Sequence, residues 1–154
     1  MIEKIDLQNP VLLDKLLSLQ RTSYQIEAEI INYDEIPPLL ETKEQLKDCG
    51  ESFYGYFVNE ILAGFLSYTE ENHTLDICRV AVHPDYFRRG IADALLAQVL
   101  SLPGLQKAIV STGKQNLPAL RLYQKHGFTI VGDREIAKGI YLTDLEKRIN
   151  KLPI

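Results

Sequence analysis

Residues 2 to 7 alternate apolar and polar side chains closely enough for a first strand, and Pro10 then opens a stretch in which Leu12, Leu13, Leu16, Leu17 and Leu19 fall at helical spacing. A strand and then a helix are predicted. The helical spacing carries on from Tyr24 through Ile31. Between Asn32 and Leu40 the pair Pro37-Pro38 disfavours both helix and central strand, so a break is expected there. Thr42 is placed to cap a short helix ending near Cys49. Two aromatic and β-branched runs, Ser52 to Val58 and Ile61 to Tyr68, flank Asn59-Glu60 and predict a hairpin. Thr74 to Val82 is the next paired strand, after the turn Glu70-Glu71-Asn72-His73.

The order then changes. A helix is predicted from about Arg89 to Ser101, a break at Pro103-Gly104, a strand from Ala108 to Ser111, a helix from Pro118 to His126, and strands from Phe128 to Glu135 and from Ile140 to about Lys147. A meander followed by a strand-helix-strand crossover implies a mixed sheet of the α/β (α+β) class with helices on its faces.

Composition narrows the possibilities. A chain of 154 residues with 45% hydrophobic residues is expected to form one domain, residues 1–154, around a substantial core. The net charge of −4 excludes a general nucleic-acid binder, which needs Lys and Arg clustered on one face. Residues 1–6 hold no apolar signal core and no apolar run reaches membrane-spanning length, so a cytoplasmic location and no membrane partner are expected. Cys49 and Cys78 stand far apart with no Cys/His cluster around them, so no metal is expected and both are read as reduced thiols, Cys78 as packing.

Two segments carry candidate chemistry. In Val80-Ala81-Val82-His83-Pro84-Asp85-Tyr86-Phe87-Arg88-Arg89-Gly90-Ile91-Ala92, a strand ends at a proline and a basic loop with one glycine leads into a helix. Unpaired N–H groups in the first helical turn, together with the helix dipole, favour an anion, and Gly90 allows close backbone approach. Arg88 and Arg89 add charge beside those donors. In Asn116-Leu117-Pro118-Ala119-Leu120-Arg121-Leu122-Tyr123-Gln124-Lys125-His126-Gly127-Phe128, Asn116 is an N-cap, Pro118 suits a helix start and Gly127 a helix stop. Taken alone, Tyr123 reads as a packed aromatic.

Together the two segments resemble the GCN5-related N-acetyltransferase (GNAT) family, whose signatures are Arg/Gln-x-x-Gly-x-Gly/Ala after a strand end and, later, Asn-x-x-Ala-x-x-Leu-Tyr-x-Lys-x-Gly-Phe. The motifs and their flanking strands cover roughly residues 50 to 136. Phe87 departs from the pattern, standing where the family has Arg or Gln. The resemblance implies a mixed, mostly antiparallel central sheet of about seven strands with helices on both faces, its fourth and fifth strands splayed around the acyl donor. It implies acetyl-CoA as co-substrate, held at Arg88, Arg89, Gly90 and Ala92, with Val82 against the pantetheine arm and Asn116 and Tyr123 contributing from the second motif. It also implies that Tyr123 is the acid that protonates the departing thiolate. The expected activity is acetyl transfer to a primary amine by direct attack. Acetylation of a protein N-terminus or lysine, and a non-catalytic acyl-CoA sensor, are the alternatives. The expected acceptor is a small-molecule or peptide amine, and the expected assembly a monomer or homodimer.

The acceptor's protonation sets the chemical task. An ammonium with a pKa of about 10.4 is nucleophilic in only about one molecule in a thousand near pH 7.4, a handicap of roughly 4 kcal/mol. Asp76 is the leading base, since period-two alternation puts Asp76, Cys78, Val80 and Val82 on one face and histone-acetylating members of the family carry a glutamate at that place. A surface pairing of Asp76 with Arg79 or a lysine is the other reading. The backbone N–H of Val80 or Val82 is the expected donor to the acetyl oxygen, provided that the strand is unpaired there. Tyr24, Glu27, Asp34 and Glu35 form either an acidic, aromatic-edged mouth for an ammonium or a solvated helix face. His73, His83 and His126 read as surface or capping residues.

Overall fold

A computed structural model describes residues 1–149. Strand β1 (Ile2–Ile5) leads into helix α1 (Pro10–Ile31), with Asn9 accepting hydrogen bonds from the N–H groups of Val11 and Leu12 and Pro10 at the first helical position. The two stretches of helical spacing form one 22-residue helix, which ends at Asn32 in the left-handed region (φ 55°). Where Pro37-Pro38 was expected only to break helix, the prolines open a four-residue helix, α2 (Pro37–Leu40). Proline is disfavoured inside a helix but tolerated in the first turn, where its missing N–H has no partner to lose. Helix α3 (Lys43–Lys47) starts at a reciprocal capping box between Thr42 and Gln45.

Strands β2 (Ser52–Val58) and β3 (Ile61–Glu71) meet at Asn59-Glu60, both at positive φ (48° and 67°), the backbone form a two-residue hairpin needs. Asn72-His73 repeats the device between β3 and β4 (Thr74–Val82). Helix α4 (Ile91–Leu100), strand β5 (Lys107–Gly113), helix α5 (Leu117–Lys125) and strands β6 (Thr129–Ala137) and β7 (Ile140–Arg148) complete the described residues.

The seven strands form one sheet in the order β1-β2-β3-β4-β5-β7-β6, antiparallel throughout except between β4 and β5. On one face Leu95 and Leu96 of α4 and Leu120 and Tyr123 of α5 pack in one core with Leu75, Ile77 and Phe128. On the other, α1 packs Leu13, Leu16 and Leu17 against Phe53, Phe65 and Ala81. Each fully buried leucine contributes roughly 1.5–3 kcal/mol, so these two layers hold the sheet from both sides.

Two irregularities in β4 open the sheet. Its parallel pairing with β5 runs only from Thr74–Lys107 to Ile77–Val110, beyond which the two strands separate. Across β3, Ser67 faces Arg79 while Tyr68 faces Ile77, so Cys78 is an extra residue, a β-bulge one position past the last β4–β5 pair.

Candidate active site

The separation of β4 from β5 makes a cleft of about 600 Å³ that passes between the helical layers. Its walls are α1 on one side, through Ser23, Tyr24, Ile26, Glu27 and Ile30, and the starts of α4 and α5 on the other. Such an opening between strands exposes backbone and both cores to a long ligand.

The loop after β4 builds one end. His83 Nδ1 accepts from the Asp85 N–H and caps a 3₁₀ turn, Pro84–Tyr86. Arg88 and Gly90 then take positive φ (64° and 73°), turning the chain into α4 at Ile91, two residues later than its expected start. Among the described residues no side chain caps this helix, and a Cβ built on Gly90 meets none of their atoms within 4 Å. The first-turn N–H groups therefore face open space that an anion can fill. Arg88, Gly90 and Ala92 line the cleft; Arg89 instead stacks on Tyr86, its guanidinium carbon 5.0 Å from the ring centre. Asp93 also lies in this first turn, a poor neighbour for a phosphate. His126 Nε2 (2.8 Å) and Lys125 Nζ (3.1 Å) compensate it, and their hydrogen bonds hold its carboxyl below the usual aspartate range.

At the other end, groups from α1, β5 and α5 converge. Asn116 Oδ1 accepts from the Ala119 N–H, capping α5, while its Nδ2 donates to Glu27 Oε1 at 3.0 Å. The Thr112 hydroxyl donates to the same oxygen at 3.3 Å. Burial raises the Glu27 pKa, and these two hydrogen bonds only partly offset it. Tyr123 is buried edge-on against Phe128, and burial followed by the nearby Glu27 charge pushes its hydroxyl pKa well up, so it remains a proton donor. Tyr24, equally buried, accepts the Val80 N–H at 3.2 Å. The His83 N–H bonds the Ala63 carbonyl of β3, so alternation directs the Val80 and Val82 N–H groups away from β3 and toward the cleft.

The structure thus gathers Tyr24, Glu27, Val80, Val82, Arg88, Gly90, Ala92, Asn116 and Tyr123 around one cleft. Asp76 and Glu35 do not line it. Glu35 and Asp34 are solvent-exposed beyond the end of α1. The alternation that grouped Asp76 with Val80 and Val82 is broken by the bulge at Cys78. Leu75 and Ile77 belong to the α4–α5 core, which Val80 and Val82 also touch, whereas Arg79 and Ala81 face α1. Asp76 is therefore on the face opposite Val80 and Val82. Burial and then the Glu51 charge raise its carboxyl pKa. Cys78 is exposed at the bulge, though its sulfur is partly covered, and that partial burial followed by the charges of Glu51 and Asp76 pushes its thiol up to about 12.

Sequence reasoning missed the partners of Arg79. Its guanidinium is almost fully buried, paired with Glu41 and with Glu51 (2.9 Å) and donating to Gln20 Oε1 (2.9 Å). Gln20 Nε2 in turn donates to Glu41 and to the Pro38 carbonyl, which ties the Pro37-Pro38 segment to the bulged strand. The one early signal was an arginine set between Ile77-Cys78 and Val80-Ala81-Val82 in a strand.

Residues 13–128 match the acetyltransferase (GNAT) family. The chain belongs to that family. The matched GNAT region takes in Tyr24 and Glu27, the Gly90 loop and Tyr123 together. Among curated proteins, the UPF0157 protein YqkA of Bacillus subtilis is 38% identical over 144 residues, 93% of this chain and 42% of its own length. The uncharacterized protein ML0378 of Mycobacterium leprae is 25% identical over 71% of this chain and 32% of its own length. The chain therefore spans less than half the length of these relatives. Among solved structures, the ribosomal-protein-S18-alanine N-acetyltransferase of Escherichia coli superposes with a TM-score of 0.81 at 15% identity, over 99% of this chain and 96% of its own. The PaiA N-acetyltransferase of Thermoplasma acidophilum, in complex with coenzyme A, superposes with a TM-score of 0.80 at 21% identity, over 97% and 98%. At these identities the likeness is one of fold.

Proposed function

We propose that this GNAT-family chain moves the acetyl group of acetyl-CoA to a primary amine by direct attack on the thioester. One observation carries the proposal: an uncapped helix start with an open glycine lies at one end of a strand separation, and a carboxylate with two tyrosines lies at the other. That arrangement along one cleft suits a long donor with a pyrophosphate at one end and a thioester at the other. The coenzyme A complexes of structural relatives support the same donor. The backbone of residues 90–92 would hold the pyrophosphate with Arg88 beside it, Val82 would meet the pantetheine arm, and Tyr123 would protonate the leaving thiolate.

Glu27 is the proposed proton acceptor for the ammonium. Among the described residues its hydrogen-bond partners are the neutral groups of Asn116 and Thr112, which leaves a negative charge in the cleft without a cation. An incoming ammonium supplies that cation and then gives up its proton. Asp76 is the second candidate, with a raised carboxyl pKa but a position outside the cleft lining. Ser23, Ile26 and Ile30 flank Glu27 on α1 with largely apolar surface. This favours an ammonium carried on an apolar body, including a peptide N-terminus, over a polycation. The test is release of free thiol from acetyl-CoA with a panel of arylalkylamines, peptides, polyamines and aminoglycosides. Turnover confined to polycations would reject the acceptor assignment, and absence of coenzyme A binding by calorimetry would reject the activity.

A further inference from the structure

The backbone donor that β4 offers to a bound thioester is already occupied. The Val80 N–H points into the cleft beyond the last β4–β5 pair, but it donates to the Tyr24 hydroxyl at 3.2 Å. Val80 is the hydrogen-bond partner of that hydroxyl among the described residues, so the hydroxyl accepts one bond while its own proton has no acceptor. Tyr24 lines the cleft on the α1 side, with Glu27 one turn along the same helix. A buried O–H that accepts from a backbone amide is polarised toward donating, and because Tyr24 lines the cleft its proton is available to a ligand bound there.

We propose that the Tyr24 hydroxyl is the hydrogen-bond donor to the acetyl oxygen, standing between that oxygen and the Val80 amide. The inference rests on the acetyl-transfer reading and adds a residue to its machinery. As the amine nitrogen bonds to the carbonyl carbon, the C=O π pair moves onto oxygen, and the Tyr24 O–H donates to the developing oxyanion without giving up its proton. The ammonium has by then given one proton to Glu27, so that a neutral amine attacks. When C=O re-forms, the C–S bond breaks, the sulfur takes a proton from Tyr123, and the proton left on the tetrahedral nitrogen returns to Tyr123, leaving amide, free thiol and protonated Glu27. The role requires a phenol that stays protonated. Burial, then the Glu27 charge, hold its pKa well above the ordinary tyrosine value against the lowering effect of the Val80 hydrogen bond. Tyr24 therefore acts through a fixed dipole while Tyr123 transfers a proton.

The test needs no acceptor. Infrared difference spectra of acetyl-CoA carrying a ¹³C=O thioester, bound to the 154-residue chain, should show the carbonyl stretch shifted to lower frequency relative to solution. The shift should be largely lost in Tyr24→Phe and retained in Tyr123→Phe. Replacing Tyr24 with a fluorinated tyrosine, a stronger donor of the same shape, should enlarge it, which guards against a Tyr24→Phe variant that folds poorly. With any amine that the wild type accepts, Tyr24→Phe should lower kcat by about 10- to 100-fold, below the loss for a sole oxyanion donor because the freed Val80 amide partly substitutes. KM for acetyl-CoA should change less than twofold. An equal or larger shift in Tyr24→Phe would make Tyr24 a placeholder and Val80 the donor, overturning the proposal. Failure of the wild type to bind acetyl-CoA by calorimetry would overturn the acetyl-transfer reading itself, an outcome separate from a missing Tyr24 effect.

Discussion

Asn116 Nδ2 and Glu27 Oε1, 89 positions apart, are joined by a 3.0 Å hydrogen bond. Because the same asparagine caps α5 through its Oδ1, the bond ties the cleft carboxylate on α1 to the helix that carries Tyr123. The proposed base and acid are thus held in one frame, and a change at either should be felt as chemistry more than as loss of fold.

Glu27→Gln separates stability from activity. A carboxyl whose folded pKa is raised binds its proton more tightly in the folded than in the unfolded chain. The ligand-free protein therefore carries a penalty above the folded pKa that disappears as pH falls. Glutamine removes it, so Tm should rise at neutral pH, with ~1 kcal/mol corresponding to roughly 2–4 °C at this chain length. The gap between wild type and variant should close in acid. In the same variant kcat/KM should fall by about 10²-fold near neutrality and recover partly at high pH, where free amine is abundant. Asp76→Asn, assayed alongside, should keep the wild-type pH–rate profile; the reverse result would move the base to Asp76.

Gly90→Glu addresses the anion cradle. At φ 73° a non-glycine residue is strained, and the new side chain would occupy the space in front of the α4 amides with a like charge. Titration calorimetry should show acetyl-CoA affinity reduced by at least tenfold, while circular dichroism reports a folded chain.

Tyr123→Phe keeps the edge-on packing against Phe128 and removes the acid. Coenzyme A affinity should be retained and turnover should drop by up to about 10²-fold, less if the thiolate leaves readily unaided. Unchanged turnover would reduce Tyr123 to a packing residue.

Arg79→Met leaves the half-buried carboxylates of Glu41 and Glu51 without their cation, a loss expected to stay below the roughly 3–5 kcal/mol of a fully buried pair and measurable by denaturant unfolding. Burial works to raise the Glu41 pKa, but hydrogen bonds from Arg79 and Gln20 hold it below the ordinary value of 4.5. A depressed carboxyl stabilises the fold above its unfolded pKa and ceases to do so as pH falls through the folded one. The difference between wild type and Arg79→Met should therefore be greatest near neutrality and narrow below about pH 4.5.

Much of the fold was legible because its signals are short-range. The hairpin at Asn59-Glu60, the Thr42 cap and the Gly90 loop each depend on the backbone preferences of a few adjacent residues, and helical or alternating periodicity is read within one element. Even Asn116 as an N-cap is local, since its bond reaches only to Ala119.

The roles of individual side chains depended on contacts that the sequence by itself does not specify. One extra residue at Cys78 turns Asp76 to the face opposite Val80 and Val82, and a bulge exists only relative to the partner strand, so no count along β4 alone could find it. Tyr24 meets Val80 across 56 positions and Arg79 meets Glu41 across 38, pairings fixed when α1 packs on the sheet. The sequence determined most of the elements, the glycine loop proposed as an anion cradle and the inventory of acids, bases and donors, because propensity and capping act within a turn or a strand. Tertiary packing decided which carboxylate enters the cleft and which hydroxyl covers the Val80 amide, because burial and long-range hydrogen bonds exist only once the layers close.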